Sequence, residues 1–162
     1  MEQPKSSQKH FLGLTVAPWH MAFALGALAV LPFVLGIYYA YSHGPFFASR
    51  ALTWLLAYLG VIVGFVGGIQ WGRMLARNAA PPQDMVLAIV PPLVAWAGLL
   101  MNSPWSLFLL LGALILGWLV DEHGYRSGWQ GWLFLQLRRV LTAAVILCLI
   151  IISWRVLRGG GI

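Results

Sequence analysis

The chain has 162 residues, 60% of them hydrophobic and 9% charged, with a formal net charge of +6 and a mean hydropathy of +0.82. Soluble domains carry about a quarter charged residues, so this composition excludes one and points to a single membrane domain. The ten Lys and Arg are scattered singly or in pairs rather than gathered on one face, which argues for topology-setting charge beside anionic headgroups and against a nucleic-acid partner.

Residues 1–19 read as a cytoplasmic N-terminal segment. They contain Lys5 and Lys9 but are not Arg-rich, unlike a transit peptide. The first apolar run, 21–41, is longer than the hydrophobic part of a signal peptide and ends in Ala40-Tyr41-Ser42-His43, without a small-x-small cleavage pattern. Further uncharged runs follow at 51–72, 85–101, 105–120 and 140–154. Each is close to the length that crosses a hydrocarbon core of about 30 Å at about 1.5 Å per residue. The predicted fold class is therefore all-α, a polytopic transmembrane helical bundle of about five spans, over residues 20–157. Residues 158–162, with Gly159-Gly160-Gly161, read as a flexible tail.

About 35 uncharged residues separate Asp84 from Asp121; as one helix they would reach roughly 52 Å, so the chain must fold back. Asn102-Ser103-Pro104 supplies the turn. The halves are short, and two crossings or a re-entrant hairpin both return Asp84 and Asp121 to one side. That side gathers Lys5, Lys9, Arg73, Arg77, Arg126, Arg138 and Arg139, whereas the other has Arg50, Arg155 and Arg158. Positive charge favours the cytoplasm. The expectation is a multi-pass protein of the bacterial inner membrane, N-terminus in and C-terminus out. Trp19, Trp71, Trp118, Trp129 and Trp132 fall near the inner interface, and Tyr38, Tyr39, Tyr41, Phe46, Phe47, Trp54, Trp105 and Trp154 near the outer one, as aromatic belts. Residues 124–134 are expected to lie along the headgroups.

Within the spans, Gly60, Gly64, Gly68 and Gly72 recur every fourth residue, with Gly67 and Trp71 beside them. A smooth glycine face lets helix backbones approach closely where lipid gives no hydrophobic reward for association. Packing on another span of the same chain is the leading reading, and contact with a second copy or a partner membrane protein is the other. Gln70 is the strongly polar side chain within that span; an amide in hydrocarbon needs a partner, which predicts an interhelical hydrogen bond, with solute contact as the alternative. Pro91 and Pro92 predict a kink in the third span, because they remove two backbone donors. Such breaks line sites in some transporters. Arg73 and Asp121 are candidates for an ion pair at the inner face, and His123 beside Asp121 is a candidate for proton handling.

The chain shows no zinc motif, catalytic triad or nucleotide loop. His10, His20, His43 and His123 fall at or outside span ends, so no pair is placed to ligate a haem. No charge is placed mid-span, which counts against an ion-coupled carrier. The single Cys148 precludes an internal disulfide. No catalytic residue, metal or cofactor is expected, and the protein is read as a non-enzyme.

Several segments occur together in a telling order: Leu31-Pro32-Phe33; Gly64-Phe65-Val66-Gly67-Gly68-Ile69-Gln70-Trp71-Gly72; Val90-Pro91-Pro92-Leu93-Val94-Ala95-Trp96; and Asp121 followed by Leu137-Arg138 and Leu141-Thr142. Over about 120 residues, 25–145, this order resembles a bacterial family of unknown function that includes the mitochondrial multi-pass protein called transmembrane protein 69. The Gly-Gly-Ile-x-Trp-Gly run is its most specific element. The family often has histidine where this chain has Gln70 and serine where it has Pro92, so histidine chemistry does not carry over. The resemblance implies a five-span membrane protein and no reaction. The leading expectation is a non-catalytic accessory, assembly or stabilising component of a larger membrane complex, with a respiratory complex the natural candidate from the family's setting. The alternatives are a small oligomeric transporter or channel, with Gln70 and Pro91-Pro92 lining its path, and a lipid- or quinone-binding protein.

Overall fold

The structure, a computed structural model, describes residues 18–77, 81–101 and 105–158. The turn expected at 102–104, the N-terminal residues before Pro18 and the glycine tail lie outside them. Five helices follow in chain order: α1 (Pro18–Ser42), α2 (Pro45–Arg77), α3 (Pro82–Leu99), α4 (Trp105–Arg126) and α5 (Trp132–Arg158). All five are long and apolar enough to cross a membrane, and no strand occurs among the described residues. α3, at 18 residues, reaches about 27 Å. With α4 at 22 residues, the 85–120 region is two helices of spanning length rather than a shallow hairpin.

α2 is the central helix, touching each of the other four; α3 packs on α4, α4 on α5, and α5 on α1. α1 is peripheral: 6% of its span is buried, against 28–39% for the others. The core runs through Phe33, Leu55, Leu59, Leu110, Leu114, Leu149 and Ile152. Gly26 on α1 faces Leu137 and Leu141 on α5, while Arg155 near the end of α5 lies over Tyr41 near the end of α1. The starts of α1 and α5 therefore share one end of the bundle with the α2–α3 and α4–α5 connections. Buried charge is found at this polar end. The opposite, aromatic end carries Tyr39 in ring contact with His43, Phe47 and Trp54, and His43 with Phe47.

Helix starts and stops follow local chemistry. Pro82 opens α3 at a position where its missing N–H is no loss, and Asp84 in the first turn meets the positive end of the helix dipole. Pro91 and Pro92 lie inside α3, which runs through both without interruption. Pro92 has no N–H to donate to the Ala88 carbonyl four residues back, which lies close to α2. That carbonyl lies 3.1 Å from where a Gly67 Cβ would sit, and Pro92 Cγ lies 2.7 Å from the same point. Any side chain larger than hydrogen at residue 67 would force α2 and α3 apart.

Candidate functional site

The polar end is built around two buried carboxylates. Asp121 on α4 is fully buried. Its Oδ1 accepts from Gln70 Nε2 at 2.9 Å and Gln130 Nε2 at 2.8 Å, and its Oδ2 accepts from Arg138 Nε at 2.7 Å. Gln70 Nε2 also donates to the Gly117 carbonyl at 3.0 Å. One carboxylate thus joins α2, α4, the α4–α5 turn and α5. An unpaired ion in this setting would cost several kcal/mol, and the Arg138 guanidinium supplies the opposite charge.

Asp84 on α3, 1% exposed, accepts from Trp129 Nε1 at 3.0 Å through Oδ2 and lies 3.2 Å from His123 Nε2 through Oδ1. His123 is half exposed, so Asp84 reaches the bundle surface through it. Glu122 and Arg139 pair with both carboxylate oxygens 2.9 Å from Nη2, tying α4 to α5 nearer the surface.

Trp129 reaches this site because of how α4 ends. Gly128 takes a left-handed φ of +82°; its N–H donates to Tyr125 O and the N–H of Trp129 donates to Gly124 O. This pair of bonds is a Schellman closure, in which the residue after the left-handed glycine folds back on the helix's last turn. That last turn must be bare. A Cβ on Gly124 would sit 2.4 Å from the Trp129 ring, so glycine at 124 admits the indole and glycine at 128 makes the turn. The fully buried Trp129 packs with Met74, Ala88 and Val120.

Several sequence expectations change here. Residues 124–134 are not one surface segment: α4 continues to Arg126, α5 begins at Trp132, and Trp129 in the turn between them is a core residue rather than part of the belt. Buried charge does occur within the helices, at Asp84, Asp121 and Arg138, because the helices extend beyond the uncharged runs. The cation bonded to Asp121 is Arg138, where the sequence offers Arg73; the Arg73 guanidinium lies 4.6 Å from the Phe134 ring centroid. His123 sits on Asp84 rather than Asp121.

The glycine row also divides. Gly60 faces Leu99 and Gly67 faces Pro92 and Ala88, so these two pack against α3 as expected. Among the described residues, Gly64, Gly68 and Gly72 have no atom within 4 Å of an added Cβ, and they form an open stripe there. The reason is angular: residues four apart drift along one helix face, and that face points past α3. Trp71 stands beside the stripe, its Nε1 donating to Met85 O at 2.9 Å. Gly68, Trp71, Gly72, Leu75, Ile89 and Pro92 border a shallow groove of about 450 Å³ there.

Gln70 makes the interhelical hydrogen bonds expected of it. Gln70, Pro91 and Arg138 meet at one crevice, with no room for a solute. The carbonyl oxygens of Gln70 and Gln130 and the hydroxyl of Thr142 are buried without hydrogen-bond partners among the described residues. No cluster of three potential metal ligands occurs among the described residues. Asp84, Trp129, Gln130, Arg138 and Gly124 are the site residues that the sequence reading did not single out. The spacing of Gly124, Gly128 and Trp129 is the signal that would have found the turn.

A family model described as "Protein of unknown function (DUF3429)" matches residues 18–153. No curated protein and no solved structure matches the chain. The match extends over all five helices but for the last residues of α5 and takes in both buried carboxylates; this integral membrane protein belongs to the DUF3429 family of unknown function.

Proposed function

We infer that the protein is a non-catalytic component of a larger membrane assembly, and that its working surface is the open glycine stripe of α2. The observation that carries this reading is the division of the glycine row: Gly60 and Gly67 pack inside the chain, while Gly64, Gly68 and Gly72 face open space at spacing four. In lipid, helix association is driven by close van der Waals approach, which a glycine row permits and bulkier side chains block. The adjacent groove, walled by Trp71 and Leu75, would seat the side chains of a second helix. The buried polar groups support the same reading, because Asp121 and Asp84 are engaged with protein donors and hold the scaffold behind that surface. The occupant is a transmembrane helix of a partner protein or of a second copy. The polar end is assigned to the cytoplasm of a bacterial inner membrane on its basic residues.

The test is the mass of the full-length protein extracted in a gentle detergent, for wild type and for Gly64→Leu and Gly68→Leu. Wild type is expected above the protomer mass, with the variants falling to the protomer at unchanged helix content. A wild-type protomer, or variants with unchanged mass, would reject the surface. The transporter reading predicts instead that reconstituted protomers conduct solute and that Gln70→Leu abolishes the flux.

A further inference from the structure

At the aromatic end, α1 and α4 both flank α5 but do not touch each other. The gap between them is a groove of about 480 Å³ over the last turns of α5, bordered by Tyr41, Leu107, Leu111, Leu149, Ser153 and Trp154. That volume lies within the ~300–1,000 Å³ of small-molecule sites, and along α5 from Leu149 to Leu157 the groove runs about 12 Å at about 1.5 Å per residue. Its walls are almost entirely apolar. Two arginines stand beside it, each against a ring that lines it. Arg155 lies 5.7 Å from the ring centroid of Tyr41 and Arg158 lies 4.5 Å from that of Trp154, both rings lining the groove. At a spacing of three they share one side of the helix.

Charge decides what can occupy it. The side-chain carboxylates of the whole sequence are Glu2, Asp84, Asp121 and Glu122; the last three sit at the polar end, so no acidic side chain among the described residues is near Arg155 or Arg158. We propose that this groove is a binding site for an anionic phospholipid, with Arg155 and Arg158 holding the phosphate and one acyl chain lying between α1 and α4 on α5. A zwitterionic lipid would fill the apolar channel equally well, but its headgroup ammonium would offset the phosphate charge and set a second cation beside the two guanidiniums. Charge, not chain, sets the selectivity.

The experiment titrates the full-length protein in detergent micelles with phosphatidylglycerol or phosphatidylcholine of identical chains, counting bound lipid by native mass spectrometry. Wild type should retain one phosphatidylglycerol with at least a tenfold preference, weakened by added salt. Arg155→Gln with Arg158→Gln should erase the preference. Arg158→Gln alone, at an exposed position, should reduce it severalfold at unchanged helix content, and Leu111→Trp should reduce retention of both lipids. Arg50→Gln removes the same charge elsewhere at this end and should change nothing. Equal retention of the two lipids by wild type, an undiminished preference in Arg158→Gln, or an equal loss in Arg50→Gln would overturn the site.

Discussion

The two ends of the bundle are held by different physics. At the polar end, α2, α3, α4 and α5 are joined by directional bonds from Gln70, Trp129, Gln130 and Arg138 to two buried carboxylates. At the aromatic end, the α1–α2 hairpin is closed by ring contacts among Tyr39, His43, Phe47 and Trp54, and hydrogen bonds such as Ser49 to Phe46 O and Thr53 to Ser49 O stay within a helix turn. Directional networks in low dielectric fail when one atom is removed, because the partner is left buried and unmet. Ring clusters at an interface lose only area and quadrupole contact. Damage at the polar end should therefore be severe and spread over four helices, and damage at the aromatic end small and local.

The largest effect should come from Asp121→Asn. It leaves the Arg138 guanidinium buried without its counter-charge, which costs about 3–5 kcal/mol; a chemical-denaturation series in detergent should show that loss. A smaller change would mean that water already reaches the pair. Gly124→Ala comes next. With its Cβ 2.4 Å from the Trp129 ring, the indole must leave or the turn must open, at about 1–3 kcal/mol of overpacking. Trp129 fluorescence, isolated in a variant with the other tryptophans replaced by Phe, should shift toward the red, and an unshifted spectrum would show that the fit is looser than described.

Gln70→Leu should cost about 1–2 kcal/mol through two lost hydrogen bonds. Gln70→His should cost less, because an imidazole N–H still reaches toward Asp121; a histidine variant as unstable as the leucine one would count against Asp121 as the hub. Arg50→Gln is expected to have the smallest effect. Arg50 is exposed and 5.7 Å from the Trp54 centroid, a cation–π contact of about 0.5–1 kcal/mol, so its thermal melt should match wild type within a few degrees. A large loss there would erase the contrast between the ends.

The spans were legible in the sequence because length without charge has few other readings. Gln70 was legible because an amide in an apolar run must find a partner. The partners themselves were not, since these helices are apolar on all sides and periodicity marks an inward face only where polar and apolar residues contrast. That is why the glycine row could not be divided into packed Gly60 and Gly67 and open Gly64, Gly68 and Gly72. Trp129 was misplaced for a related reason: a tryptophan beside glycines and an arginine near a span end has the composition of an interfacial belt. Only the turn chemistry of Gly124 and Gly128 distinguishes a tucked indole from a floating one. Asp121 was recognised as half of an ion pair, but choosing between Arg73 and Arg138 needs the rotation of α2 and α5 about their axes.

The contrast between a sealed polar end and an open glycine stripe is tested most directly by one paired mass measurement on full-length protein in gentle detergent, comparing Gly68→Leu with wild type. The expected result is a wild-type complex heavier than the protomer and a Gly68→Leu protomer of unchanged helix content. A Gly68→Leu complex of unchanged mass would contradict it.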